Sequence, residues 1–336
     1  MALAFFILLC LFTATFAVFN GLRDASSTVA VAVRTRALTP TVAVLLAGVF
    51  NLIGALLSGG FAVSLQTQVF NFASGTTGLA ILLAAVLAAL FWGIYQWWIG
   101  YPSSSTHALI SGIAGAAWVA GLKGASPSTG LGEAVVWLVL LPLLISPVFA
   151  FVFSYLVVFP VAWLSRYAQP NDINRRFRRI QGITASAVAF GHGLQDGSRT
   201  VALMLFALSA AGLSNSGAEV WWLTSAVGLL MMAGTLLGGW RISYTMAHRL
   251  VRVDPMRAVT AQSVSALMLF VAGFGFHLPL ATTQLTTAAV LGAGANQRFA
   301  AGNIRLAGRI MLFWLLTPVS SAVFGGILYL ALSPLL

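Results

Sequence analysis

A ten-residue phrase occurs twice in this chain and constrains its fold more than any other feature. Residues 21–30 read Gly-Leu-Arg-Asp-Ala-Ser-Ser-Thr-Val-Ala, and residues 193–202, beginning 172 positions later, repeat seven of the ten. Each copy places an aspartate, Asp24 or Asp196, inside an otherwise apolar stretch. The repetition predicts a duplicated architecture in which each half carries one such carboxylate.

A second pair of polar segments follows in the same order. Residues 102–107 read Pro-Ser-Ser-Ser-Thr-His and residues 279–284 read Pro-Leu-Ala-Thr-Thr-Gln. Duplicated halves with polar interruptions at corresponding positions are typical of secondary transporters.

Composition places the chain in a membrane. Of its 336 residues 60% are hydrophobic and 7% are charged, whereas a soluble protein carries about 25% charged residues. About ten apolar segments approach the roughly 20 residues that a spanning helix needs. The N-terminus is interpreted as the first helix and not as a signal peptide. Cys10 is the only cysteine, which excludes disulfides and thiolate metal clusters.

The net charge of +11 is concentrated in loops, which argues against nucleic acid as a partner and for a cytoplasmic face. A polybasic lipid-binding patch or a regulatory contact is the alternative interpretation. The stretches 64–77 and 211–218 lack Lys and Arg and are predicted outside. The basic residues form two groups: Arg166, Arg175, Arg176, Arg178 and Arg179 in one, and Arg241, Arg249, Arg252 and Arg257 in the other.

These observations predict an all-α polytopic membrane protein of about ten transmembrane segments in two inverted five-helix repeats. The repeats span residues 1–164 and 182–336, joined by a cytoplasmic basic loop over 165–181. A continuous first helix over 2–33 would be about 48 Å long, well beyond a hydrocarbon core of about 30 Å. We therefore predict helix breaks near the midplane at 20–21 and 191–193, and half-helices that start after Pro102 and Pro279.

Asp24 and Asp196 are the only two of six acidic residues that lie within apolar segments. A buried charge is costly in a membrane and marks an ion pathway, so both are predicted to bind a coupling cation. The alternative is that each only caps a half-helix with help from Ser26 or Ser198.

Hydroxyl and amide groups near the predicted helix starts suggest an oxyanion site, because free N–H groups at a helix N-terminus favour anions. Taken singly, such hydroxyls usually bond the preceding turn. The candidate ligands are Asn20, Ser104, Ser105, Thr106, Ser198, Arg199, Thr200, Thr282 and Thr283.

An anion beside two bare carboxylates is strongly repelled in a low dielectric. Either Na⁺ is bound at Asp24 and Asp196, or the two groups are protonated. Both cases amount to cation–anion symport. No cofactor is expected.

In these motifs the chain resembles the inorganic phosphate transporter family. The resemblance implies orthophosphate as substrate, with Na⁺, H⁺ or a divalent-metal phosphate complex as the coupled species. The Ala-, Val- and Leu-rich composition is compatible with a bacterial inner (plasma) membrane, and a homo-oligomer is left open as a partner. The matching segments are Asn20, Gly21, Asp24 and Ala25; 35–40; His192, Gly193, Asp196 and Thr200; 102–107 and 279–284; and 237–241 and 245–249.

Departures from the family pattern keep sulfate or another oxyanion open as the substrate. They stand at Ser27, Gln195, Arg199, Ala281 and Gln284.

The rival of another class is a membrane-embedded enzyme that uses His192 as base and Asp196 as orienting acid. The first repeat offers Asn20 and Asp24 at the same spacing and so lacks a base. His107 and His192 are instead candidates for a proton or polar relay.

Overall fold

The computed structural model describes residues 1–69, 74–125, 131–213, 218–297 and 302–336. Residues 70–73 and 214–217 of the two predicted outside loops lie outside the described residues, as does the Ser26 side chain. Within the described ranges every regular element is a helix. Those of the first half are α1 Ala2–Arg34, α2 Pro40–Leu56, α3 Gly59–Val69, α4 Thr76–Ile99, α5 Ser105–Leu122, α6 Leu131–Val135, a π-helical turn Val136–Leu140, and α7 Leu141–Leu164.

The second half of the chain is also helical throughout its described residues. It comprises α8 Pro170–Ala210, α9 Ala218–Leu237, α10 Trp240–Tyr244 with a π-helical turn Thr245–Leu250, α11 Pro255–Phe270 with a π-helical turn Val271–Phe276, α12 Thr282–Ala295, α13 Ile304–Leu332, and a 3₁₀ turn Ser333–Leu335.

Several helices begin at signals that are legible in the sequence. Thr39 caps α2 ahead of Pro40, and Asp254 caps α11 ahead of Pro255 by accepting from Arg257 N at 2.9 Å. A side-chain oxygen at the cap satisfies an N–H group that the helix leaves unpaired, and proline suits the first helical position.

Seven helices of the described chain are long and apolar enough to cross a membrane. An eighth is added if α2 and α3, bent by 52° at 57–58, form one broken span. The predicted all-α polytopic class is confirmed, whereas the count of ten and the inversion of the repeats stay predictions. Two elements fall short of these criteria. The apolar part of α8 is interrupted by polar residues from His192 to Thr200, and α12, with 14 residues, is only about 21 Å long.

The predicted breaks at 20–21 and 191–193 are wrong, because α1 and α8 are continuous there. The glycines serve close helix packing instead. A Cβ on Gly21 would lie 2.1 Å from the carbonyl oxygen of Met231, and one on Gly193 would lie 2.1 Å from that of Asn51. Small residues let helix backbones approach closely in membranes, and the excess length of α1 is accommodated by tilting or by projecting beyond the hydrocarbon.

The breaks predicted after the two prolines are present. Helix α4 ends at Gly100, which is left-handed (φ 74°), and α5 starts at Ser105. In the second half the chain leaves the π-helical turn at His277 (φ 50°) and α12 starts at Thr282. Each half-helix packs against a long helix of the other half, α5 against α13 and α12 against α7.

The segment predicted as a basic loop over 165–181 is mostly helical. Helix α8 begins at Pro170 and runs for 41 residues, so Pro170 to Gln181 form its first three turns. Proline at the start and Asp172 in the first turn both favour helix initiation. The arginines in this stretch therefore lie on a rigid helix.

Candidate functional site

The first carboxylate, Asp24, is paired with its chain neighbour. Arg23 Nε donates to Asp24 Oδ1 and Arg23 NH2 donates to Asp24 Oδ2, both at 2.8 Å, and each side chain is 2% exposed. A two-pronged arginine–carboxylate contact is among the stronger hydrogen-bonded pairs in proteins. The site therefore already holds one positive charge from the protein itself, which the sequence interpretation overlooked.

The second carboxylate, Asp196, lies in the middle of α8 and is contacted from two helices. Asn20 Nδ2 of α1 donates to its Oδ2 at 2.8 Å, and Arg199, one turn along α8, approaches Oδ1 at 2.9 Å. Each aspartate of the repeated phrase is thus neutralised by an arginine. The sequence led us to expect that both carboxylates need a transported cation. Because an arginine already balances each negative charge, charge balance by itself does not require that cation.

A single hydroxyl joins the two carboxylates. Ser105 Oγ, in the first turn of α5, lies 3.2 Å from Asp24 Oδ2 and 3.1 Å from Asp196 Oδ2. One hydroxyl proton can be donated to only one of these oxygens at a time. Helices α1, α5 and α8 therefore meet at a point where one carboxylate oxygen is always left facing an oxygen lone pair, unless a proton or another cation lies there.

The orientation of His192 is fixed by a chain of hydrogen bonds. Thr235 Oγ1 donates to the Met231 carbonyl at 2.8 Å, so it must accept from Asn51 Nδ2 at 2.9 Å. The remaining amide oxygen, Asn51 Oδ1, then faces His192 Nδ1 at 2.9 Å. An amide oxygen only accepts, and so Nδ1 carries the ring proton. In the neutral imidazole, Nε2 is then a bare acceptor.

That acceptor faces a carboxylate. His192 Nε2 lies 3.4 Å from Asp196 Oδ2, and ligand atoms of Asp24, His192 and Asp196 all lie within 4.8 Å of one another. Two lone-pair-bearing atoms at this distance repel unless a proton or a metal ion lies between them. The three side chains could hold a small cation.

Arg199 reaches beyond Asp196 to both half-helices. It donates to Thr106 Oγ1 in α5 and, through NH2, to the Leu280 carbonyl at 2.8 Å just before α12. Arg199 therefore ties α8 to the starts of α5 and α12. The sequence assigned it to the oxyanion, whereas its described partners are protein groups.

Gln195, which the sequence marked only as a departure from the family pattern, holds the break before α12. Its Oε1 accepts from Leu280 N at 3.1 Å and its Nε2 donates to the carbonyls of Leu269 and Leu278, each at 3.3 Å. The unwound segment needs partners for its backbone groups in the membrane, and a glutamine supplies both a donor and an acceptor.

Unpaired polar atoms gather at the starts of the two half-helices. Such atoms, on side chains no more than 2% exposed, are costly when buried unless a ligand pairs with them. In the described part of the chain the unpaired atoms of this region are Ser103 Oγ, both ring nitrogens of His107, Thr282 Oγ1, both side-chain polar atoms of Gln284, and Asn20 Oδ1.

Other predicted ligands are engaged locally. Ser198 donates to the Gln195 carbonyl at 2.8 Å and Thr200 to the Asp196 carbonyl at 3.0 Å, as hydroxyls in a helix commonly do. Ser104 caps α5 by accepting from His107 N at 3.1 Å. Thr283 is buried in the first turn of α12. These residues line the region but their hydrogen-bonding groups are partly committed.

The sequence interpretation missed Arg23, Asn51 and the polar group of Gln284. It noted the Ser103 hydroxyl in the 102–107 segment but did not place it among the ligands. Arg23 was detectable, since an arginine in an apolar stretch beside a buried aspartate indicates a pair. Asn51 was not, because its contacts come from α8 and α9, which lie far away in the chain.

Comparison with known proteins identifies similar phosphate transporters. The model of the phosphate transporter family matches residues 20–325. A probable low-affinity inorganic phosphate transporter of Bacillus subtilis (strain 168) is 33% identical over 97% of both chains. One of Rhizobium meliloti (strain 1021) is 35% identical over 93% of this chain and 92% of its own.

A solved structure shares the fold. The structure titled "The sodium-dependent phosphate transporter" superimposes with a TM-score of 0.85 over 99% of this chain and 100% of its own, at 20% sequence identity. The family consists of transporters, which sets aside the enzyme hypothesis for His192 and Asp196. With the family model spanning most of its length, this multi-span membrane chain belongs to the phosphate transporter family.

Proposed function

We propose that this protein carries inorganic phosphate across the plasma membrane together with H⁺ or Na⁺, by alternating access. The observation that carries the proposal is the meeting of Asp24 and Asp196 on the Ser105 hydroxyl, beside the start of a half-helix. A cation site and a helix N-terminus are thereby adjacent, as symport of a cation with an anion requires.

The oxyanion is assigned to the starts of α5 and α12. Ser103 and Thr282 offer hydroxyls, and Asn20 and Gln284 offer amide groups, with atoms that lack a partner in the described structure. Ser104, Ser105, Thr106 and Thr283 complete the wall, while Arg199 contributes positive charge from α8.

Unpaired amide oxygens favour phosphate over sulfate. Near neutral pH phosphate keeps at least one O–H group, which needs an acceptor, whereas sulfate has none to donate. Asn20 Oδ1 and Gln284 Oε1 are buried acceptors without a partner in the described structure, and an unpaired buried acceptor discriminates strongly against a ligand that cannot donate to it. A divalent-metal phosphate complex remains compatible with this arrangement.

The coupling cation is assigned to the space among Asp24, Asp196 and His192. His192 Nε2 and Asp196 Oδ2 face each other, and a proton can lie between a nitrogen and an oxygen acceptor. Na⁺ is less suited to this position, because a nitrogen ligand is unusual for Na⁺. The name of the solved relative, sodium-dependent, supports Na⁺ as the second candidate. The repeat division at 1–164 and 182–336, the inverted orientation of the halves and a homo-oligomeric state are part of the same proposal.

Uptake of labelled phosphate into proteoliposomes tests the function, with H⁺ and Na⁺ gradients imposed separately and excess sulfate as competitor. We expect uptake that follows one gradient and is indifferent to sulfate. Gradient-driven sulfate uptake without phosphate uptake would reassign the substrate.

A matched pair of charge removals tests the cation site. Asp196→Asn is expected to abolish gradient-driven uptake while phosphate exchange at equal gradients persists. Asp172→Asn, on the same helix but exposed, is expected to leave both unchanged. The unfolding temperature of Asp196→Asn shows whether the variant is folded. Full gradient-driven uptake by the folded variant would exclude Asp196 as a coupling residue.

A further inference from the structure

An apolar groove and a basic pocket both include the side chain of Arg179, in the N-terminal part of α8. The groove has a volume of about 610 Å³ and runs between α2, α8 and α11, lined by apolar side chains that include Phe50, Ile183, Phe190 and Phe270. Arg179 closes one end of it and also lines the pocket. The groove and the pocket therefore share this residue.

The pocket is basic and polar. It has a volume of about 480 Å³ and is lined by Arg175, Arg178, Arg179 and two asparagines of α8, with Ala37 opposite. Within the described residues, no carboxylate approaches any of these three arginines within ion-pair distance. The pocket thus presents uncompensated positive charge and amide groups to a ligand.

The depth of the groove matches one leaflet. From Arg179 to Phe190 the helix rises about 16 Å, close to half of a hydrocarbon core of about 30 Å. Ile183, 72% exposed, and Phe190 place this face of α8 against lipid tails. An occupant with a charged end at Arg179 and an apolar chain of this length is an anionic phospholipid.

We propose that this surface binds one anionic phospholipid, with its phosphate against Arg175, Arg178 and Arg179 and one acyl chain in the groove. The lipid holds the start of α8 at the membrane surface. Because α8 carries Asp196 and Arg199 further along, the occupied groove stabilises the helix on which the transport site is built.

The test titrates detergent-solubilised full-length protein with phosphatidylglycerol. The unfolding temperature of the protein is measured at each lipid concentration. Phosphatidylcholine with the same acyl chains and soluble glycerol phosphate are the other arms. We expect a rise with phosphatidylglycerol that neither other arm reproduces. Arg175→Gln/Arg178→Gln/Arg179→Gln is expected to raise the half-saturating lipid concentration by about two orders of magnitude, since each basic residue near an anionic headgroup contributes roughly fivefold.

Two matched controls make the result specific. Arg252→Gln/Arg305→Gln/Arg309→Gln removes the same charge from three other exposed arginines. They lie on two segments that the hydrogen bond from Asn303 N to the Leu250 carbonyl, at 2.8 Å, brings together. This control is expected to keep the lipid response.

Gly182→Leu fills the groove, where a Cβ meets only a Leu38 side-chain carbon at 3.7 Å, and is expected to lose the response. Gly308→Leu, open on all sides, is expected to keep it.

Three outcomes would overturn the proposal. An equal response to phosphatidylcholine would mean that the groove holds any lipid. A full response to glycerol phosphate would assign the pocket to a soluble phosphoryl anion. Loss of the response in the control triple variant would reduce the effect to general surface charge.

Discussion

The guanidinium of Arg23 grips the carboxylate of Asp24 with two hydrogen bonds of 2.8 Å, in a position where both side chains are 2% exposed. The two residues are adjacent in the chain, so the pair is built into α1 and does not depend on a partner helix. The surroundings of the two aspartates therefore differ. Asp24 is paired with Arg23, whereas Asp196 is paired with Arg199 and also faces the unprotonated Nε2 of His192.

Arg23→Gln leaves Asp24 buried without its counter-charge. We expect a loss of about 3–5 kcal/mol in the free energy of unfolding, the usual effect of removing one partner of a buried pair. Added Na⁺ is expected to recover part of this loss by occupying the vacated position. Unfolding temperatures with and without Na⁺ measure the effect.

Arg23→Gln/Asp24→Asn is the control, since it removes both charges and should be more stable than Arg23→Gln alone. Equal stability of the single and double variants would mean that losing Arg23 does not leave Asp24 as an uncompensated buried charge.

Thr282→Val tests the oxyanion site without changing side-chain shape. The Thr282 hydroxyl is buried and has no partner in the described structure, so its removal is expected to leave stability unchanged or slightly higher. Phosphate affinity is expected to fall roughly tenfold or more, because hydrogen bonds to charged groups contribute about 1.5–3 kcal/mol. Equilibrium binding of labelled phosphate measures this.

Thr287→Val, five residues further along α12, is the matched control. Its hydroxyl donates to the Thr283 carbonyl at 2.6 Å, so affinity should persist. If both variants bind phosphate like the wild type, the start of α12 is not the anion site.

Gln195→Ala releases the unwound segment before α12. Four hydrogen bonds to Leu269, Leu278, Leu280 and Arg199 are lost, and we expect faster hydrogen exchange at the amides of 278–284 with a loss of about 2–3 kcal/mol in stability. Exchange measured by mass spectrometry localises the change.

Gln66→Ala, which removes a single contact to the Leu205 carbonyl, is expected to leave exchange at 278–284 unaltered. Unchanged exchange at this segment in Gln195→Ala would show that other contacts hold the break.

Gly193→Ala distinguishes close packing from helix flexibility. A methyl group at this position would lie 2.1 Å from the Asn51 carbonyl oxygen, and so α2 and α8 would have to separate. We expect the free energy of unfolding to fall by several kcal/mol and transport to be lost. On the same helix, the Cβ of Gly182→Ala would make only an ordinary contact, 3.7 Å from a Leu38 side-chain carbon. This variant should instead gain up to about 1 kcal/mol from helix propensity. Wild-type stability of Gly193→Ala would contradict the close approach.

The sequence by itself determined the membrane class, the two-fold repetition and the starts of the half-helices. Hydrophobicity and proline before a hydroxyl run are local properties that act on the segment carrying them. The repetition is visible in the order of residues without knowledge of any contact. Asp24 and Asp196 were singled out for the same reason, because a carboxylate in an apolar segment is conspicuous without knowledge of its neighbours.

Tertiary structure decided what the local pattern could not. Gly21 and Gly193 were predicted as breaks, yet whether a helical glycine bends the chain or admits another backbone depends on a partner helix far away in sequence. Likewise, the bare Nε2 of His192 follows from Asn51 and Thr235 on two other helices. Which atom donates and which accepts is set by contacts between helices. Only the packed structure therefore shows which acceptor atoms face each other and need a cation between them.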